Sequence, residues 1–300
     1  MPGNGVCRVY AGAYRPQRIW SLASGCAAHP RAAFGGPEAI AATWHQLNYL
    51  GPPDFSRALA DYDRFADILA ETGAAIDYLP TAEGLTLDSL YVHDAAVPAP
   101  QGIVLCNMGK PARAQEPAVM GAALATLGLP VAGRIEGDGR LEGGDLVWFD
   151  EGTCAVARGY RTNDEGIRQL KTLLGPRVEV VNVPLPHYRG PGDVFHLMSI
   201  ISPLDADLAL VHSPLMPVPF REWLLGRGVE LVEVAEDELD TLGCNALALA
   251  PRRGLMAAGN PKTRARLEAA GCEVLTYDAG EISLKGQGGP TCLTRPLARG

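Results

Sequence analysis

The chain is 300 residues long, with 47% hydrophobic and 20% charged side chains. It can therefore bury about three-quarters of its unfolded surface, and long disordered or low-complexity stretches are excluded. A formal net charge of -8 without a block of Lys or Arg argues against nucleic acid or anionic membrane as the main partner and favours a cationic small ligand.

Seven cysteines, at 7, 26, 106, 154, 244, 272 and 292, are odd in number, far apart and free of any Cys-x-x-Cys pair, which is not a disulfide framework. The N-terminus lacks the basic and apolar pattern of a secretory signal, and no run of about 18 apolar residues occurs. These features predict a reduced, cytoplasmic protein.

Along the chain, residues 1–40 form an N-terminal segment of a single domain over residues 1–300. Residues 54–69 repeat apolar side chains three and four apart, with Asp54 or Ser56 as cap and Gly73 as stop, which predicts a helix. Residues 75–79 predict a strand, and residues 90–93 read as a buried strand ending at Asp94. Further helices are expected near Ala114, Asp164, Phe220 and Lys262. Strands are expected at 103–106, 153–157 and 207–211 before helices and at 178–181, 229–234 and 272–275 after them.

The five helix starts recur every roughly 40 to 60 residues, a spacing of repeated structural units. One such α/β unit cannot bury its apolar face alone, so five predict a closed array around a central axis. An open doubly wound sheet shares the alternation without requiring five copies. No Gly-x-Gly-x-x-Gly and no Walker loop follows a strand, so nucleotide binding has no support.

The chemistry gathers at a few positions. Cys292 lies in the glycine-rich tail 286–296, where Gly286, Gly288 and Gly289 let backbone approach a ligand and Pro290 stiffens it. The bland alternative is a packed thiol; a reactive one needs a nearby base or cation to form thiolate. His196 follows the turn-rich stretch 188–193 and opens the apolar run 197–203, which places it at a strand mouth as the best general base and acid. Glu142, before Gly143 and Gly144, can fix an imidazole tautomer or be a simple turn acid.

Asp94 would need a bound cation or another partner to offset its burial. Arg113 and Arg161, each just before a predicted helix, can grip an anionic substrate end, or else be solvated helix-start arginines. Asp94, Glu142 and His196 fall in separate units without local metal-ligand spacing, so no metal is expected. Together these residues outline a cysteine hydrolase site.

The ordered set Asp94, Arg113, Glu142, Arg161, His196 and Cys292 resembles the guanidine-modifying, or pentein, superfamily, closest to dimethylarginine dimethylaminohydrolases. The motifs are Glu142-Gly143-Gly144-Asp145, Arg161-Thr162-Asn163, His196-Leu197-x-Ser199 and the tail around Cys292, over about residues 40 to 300. The resemblance implies an α/β fold, a five-bladed pseudo-symmetric propeller. It also implies a cysteine-dependent hydrolase of a substituted guanidine, dimethylarginine-like, that passes through a thiouronium intermediate to a ureido product and an amine.

On this resemblance Cys292 is the nucleophile, His196 the acid and base, and Glu142 the group that orients His196. Asp94 would hold the guanidinium, Arg113 and Arg161 the amino acid carboxylate, with Asp88 and Tyr91 near the substrate. No cofactor is implied, the partner is a small guanidino compound, and a homodimer is compatible. Two departures bear on specificity: His93 stands where a second acid precedes the aspartate, and Met198 stands where arginine deiminases carry an acid. The alternatives are an amidinotransferase or arginine deiminase-like enzyme on another guanidino compound, and a non-catalytic binding propeller.

Overall fold

The computed structural model describes residues 22–299, so Cys7 and most of the N-terminal segment lie outside the described residues. The chain opens with β1 (Leu22–Ala27), α1 (Pro30–Phe34), α2 (Pro37–Thr43), α3 (Phe55–Glu71) and β2 (Ala75–Tyr78). Next come β3 (Ala96–Ala99), β4 (Gly102–Leu105), α4 (Glu116–Thr126) and β5 (Val131–Arg134), then β6 (Leu146–Asp150), β7 (Thr153–Arg158), α5 (Asp164–Leu174) and β8 (Glu179–Pro184). The pattern recurs as β9 (Ile201–Asp205), β10 (Leu208–Val211), α6 (Val218–Gly226) and β11 (Glu230–Glu233), and again as β12 (Ala246–Ala250), β13 (Arg253–Ala257), α7 (Pro261–Ala269) and β14 (Glu273–Tyr277). Strand β15 (Thr294–Arg299) ends the described chain.

These strands form five three-stranded sheets, the blades of a pseudo-symmetric α/β propeller. In each blade the middle strand pairs antiparallel with an inner strand and parallel with an outer one, and the helix makes the parallel crossover. The remaining blade joins opposite ends of the chain, because β1 pairs antiparallel with β15 and parallel with β2. No described sheet exceeds three strands, which removes the open doubly wound alternative.

Helix α3 shows why the sequence folds this way locally. Asp54 caps it by accepting from the Arg57 N–H at 2.9 Å, and Ala58, Tyr62, Phe65 and Leu69 form one buried stripe. Helix α5 is built alike, with Asn163 accepting from the Gly166 N–H at 2.8 Å and Ile167, Leu170 and Leu174 facing inward.

Residues 90–93 do not form the expected strand. Leu90 ends one 3-10 turn, Leu87–Leu90, Tyr91 links it to a second, Val92–Ala95, and the strand begins at Ala96. All four are buried, and an apolar run without alternation does not separate a strand from a buried turn. Helix α4 starts two residues after Ala114, because residues Pro111–Arg113 first make their own 3-10 turn.

Candidate active site

Five side chains stand just ahead of the five inner strands. Asp94 precedes β3, Glu142 precedes β6, His196 precedes β9, Asn245 precedes β12 and Cys292 precedes β15. The propeller repeat thus carries residues scattered over 198 positions of sequence to one end of its axis. His93, Gly144, His196, Met198, Asn245 and Cys292 line a cavity of about 240 Å³ there, with Leu50, Phe195 and Leu239 on its walls.

The histidine is held by a buried carboxylate. His196 Nε2 lies 2.7 Å from Glu142 Oε2, and Glu142 also accepts from the Lys110 backbone N–H at 3.0 Å and from Arg161 Nη1 at 3.3 Å. Burial opposes a charge on His196, but Asp94, Asp145 and Glu142 outweigh it and raise the imidazole to about 9, so it carries a proton at neutral pH. Burial likewise opposes ionisation of Glu142, yet the hydrogen bond and charge of His196 keep its carboxyl below the usual range. Gly144 permits this packing, because a Cβ there would lie 2.7 Å from His196 Nδ1 and 2.9 Å from Asp94 Oδ1.

Asp94 is buried but fully engaged. Its Oδ1 accepts from the Gly144 N–H at 2.8 Å and its Oδ2 from Arg113 Nη1 at 2.5 Å. Burial would raise its pKa, and His196 and Arg113 reverse the sign, holding the carboxyl well below the usual carboxylate range.

Arg113 also grips Glu116 at 2.9 and 2.7 Å and donates to the Tyr91 carbonyl at 2.6 Å. Arg161 binds Glu142 and the Asp193 carbonyl at 3.4 Å. Both arginines are 5% exposed and lie behind the cavity wall, so neither is a solvated helix-start residue, and both already hold carboxylates of the protein. Asp88 pairs with Lys110 Nζ at 2.6 Å, and the Tyr91 hydroxyl donates to the Ile282 carbonyl at 3.2 Å.

His93 is a neutral group in this site. Burial lowers it to about 3, with Arg295 adding to the effect. Its Nδ1 lies 2.8 Å from the Thr294 carbonyl, so Nδ1 carries the proton and Nε2 is left to accept from Arg295. The place of a second acid is thus taken by an uncharged ring backed by a guanidinium.

Among the six described cysteines, Cys292 alone is not fully buried. Burial, then the charge of Asp94, push its thiol up to about 11, so without a ligand it is protonated at neutral pH. Asp94, Glu142 and His196 each bring one atom suited to a metal within 4.8 Å of the others, despite their separation in sequence. Those atoms already take hydrogen bonds from Gly144, Arg113, Arg161 and one another, the arrangement of an acid-base cluster.

Sequence reading missed Asn245, Lys110, Glu116 and Arg295. Asn245 was detectable only by aligning the five inner strands, since its position before β12 matches that of Cys292 before β15. Among the described residues no helix is long and apolar enough to cross a membrane.

Comparison with known proteins identifies the family and the fold. The family described as N,N dimethylarginine dimethylhydrolase, eukaryotic, matches residues 54–299. The N(G),N(G)-dimethylarginine dimethylaminohydrolase of Streptomyces coelicolor is 32% identical over 242 residues, 80% of this chain and 86% of that protein. An arginine deiminase of Mycobacterium marinum is 31% identical over 192 residues, 53% of this chain and 46% of that protein.

In fold, the dimethylarginine dimethylaminohydrolase of Pseudomonas aeruginosa, solved with citrulline, superposes with a TM-score of 0.73 at 22% identity, covering 92% of this chain and 99% of that one. Fold and site together define a guanidine-modifying hydrolase acting on C–N bonds. Within that class, the chain belongs to the dimethylarginine dimethylaminohydrolase family.

Proposed function

We propose that the protein hydrolyses a substituted guanidine of the dimethylarginine type, with Cys292 as nucleophile, His196 as acid and base and Glu142 as the group that orients the imidazole. The observation that carries this reading is the meeting of Cys292 and the His196–Glu142 pair at one cavity, with Asp94 immediately behind it. At rest the two groups do not form an ion pair, because His196 is charged while the thiol is neutral. A guanidinium bound against Asp94 is a permanent cation beside the sulfur, and it favours loss of the thiol proton to solvent, giving the thiolate when substrate is present.

The thiolate then forms a bond to the guanidine carbon. His196 gives its proton to the departing amine as the C–N bond breaks, leaving a thiouronium on Cys292 and a neutral imidazole. That imidazole takes a proton from water as the oxygen attacks the same carbon. The C–S bond breaks and the second proton of that water passes to solvent, where the released amine can take it up, so that a neutral ureido product leaves with the thiolate and the charged histidine restored. Arg113 and Arg161 support this chemistry by holding Asp94 and Glu142 in place, and a substrate carboxylate would have to share them with those partners. Of the other residues expected near the guanidinium, the neutral His93 lines the cavity, whereas Asp88 and Tyr91 are outside its lining, partnered by Lys110 and the Ile282 carbonyl.

Residues from both ends of the chain share the blade that carries Cys292, so we read the catalytic unit as one domain. Mass spectrometry of reactions with arginine, asymmetric dimethylarginine, hydroxyarginine and short guanidino acids tests the assignment. We expect ureido product and amine from a substituted member and none from the Cys292→Ser variant. Full activity in that variant would sink the mechanism.

A further inference from the structure

Asn245 occupies the one inner-strand position to which sequence reading gave no role. It is 7% exposed, lines the cavity, and places Nδ2 3.7 Å from Cys292 Sγ. The direction of its amide is set from the other side. The Thr291 backbone N–H, which can only donate, reaches Asn245 Oδ1 at 3.1 Å, and Thr291 Oγ1 gives its single proton to the same oxygen at 2.9 Å. The atom facing Thr291 must therefore be the carbonyl oxygen, so the amide NH2 faces sulfur.

Thr291 Oγ1 also lies 3.9 Å from Sγ, but its proton is already committed to Asn245. A Cβ on Gly289 would stand 2.4 Å from both Asn245 Cγ and Oδ1, so that glycine is what lets the amide sit beside the tail loop.

We propose that Asn245 is a further catalytic residue, whose carboxamide N–H donates to the Cys292 sulfur and stabilises the thiolate that attacks the guanidine. The proposal rests on the reading of Cys292 as nucleophile. An uncharged donor suits this place, because a cation there would favour the thiolate yet repel a guanidinium, whereas an amide does the first without the second. The ionisable groups around the sulfur are Asp94, Arg113, His93, His196, Tyr91 and Tyr277, so the amide works against the anionic Asp94.

The test is the pH dependence of iodoacetamide alkylation at Cys292, read on its own peptide by mass spectrometry, in wild type and Asn245→Ala. A roughly tenfold slower reaction near pH 8 is expected, the loss of one hydrogen bond to a charged group. A folded variant with the wild-type profile would overturn the proposal.

If the variant does not fold, protein labelled with ¹⁵N-asparagine answers the same question. A side-chain NH2 signal that titrates with the Cys292 thiol and no longer does so in Cys292→Ala supports the assignment, and the absence of any such signal overturns it. Alkylation reads the donor without turnover, so it separates this inference from the nucleophile reading. An active Cys292→Ser variant removes both, and an unshifted alkylation profile beside an inactive Cys292→Ser variant removes only Asn245.

Discussion

The charge on His196 and its absence from Cys292 are two sides of one local field, set by Asp94, Glu142 and Asp145 around a buried imidazole and a desolvated thiol. Alkylation of Cys292 in the ligand-free protein should therefore still be rising at pH 9; a plateau already reached at pH 7 would contradict the account. The raised His196 also links stability to pH. Its folded value of about 9 exceeds its ordinary 6.5, so its contribution is complete below about 6.5 and is lost as pH rises through about 9. Asp94 and Glu142, both lowered, act oppositely, and their contribution disappears as pH falls into the acid range. In His196→Gln, thermal unfolding should lose the alkaline decline, and the acid decline should weaken with it, because the His196 charge is the leading cause that lowers Asp94 and Glu142.

At the scale of the element, what counts is how closely the turns before the inner strands pack. Gly144→Ala would drive a methyl group against His196 Nδ1 and Asp94 Oδ1, and turnover should drop by about a hundredfold, the usual cost of a small misplacement of reacting groups. Unchanged turnover in that variant would mean that the His196–Asp94 spacing is unimportant. Phe65→Ala in α3 is the contrasting case. It should cost about 3–5 kcal/mol of stability, read by denaturant unfolding, with the remaining folded protein fully active.

These elements also show what the sequence discloses. Helices α3 and α5 announce themselves through caps and a single apolar stripe, and the outer strands follow them. The inner strands are short and buried on both faces, so they lack the alternation that reveals a strand, and residues 90–93 gave a false one. Cys292, His196 and Glu142 were legible because glycines and turns flag them. Asn245 was not, because its meaning comes from the Thr291 hydrogen bonds and its place in the fold.

For the molecule as a whole, closure of the ring and assembly of the site are one event. Strand β15 follows Cys292 by two residues and completes a blade with β1 from the other end of the chain. Leu297, on β15, is 1% exposed, and Leu297→Asp would place an uncompensated charge in that closure. Melting temperature and turnover should fall together; lost stability with full activity in the folded fraction would separate closure from catalysis.

The central claim is that Cys292 bonds to the guanidine carbon during turnover. Rapid acid quenching of the enzyme with a substrate found in the guanidine panel, followed by peptide mass spectrometry, tests it directly. The account predicts an amidino adduct on the Cys292 peptide that appears only during turnover. Steady product formation with that peptide unmodified, or continued activity in Cys292→Ala, would contradict it.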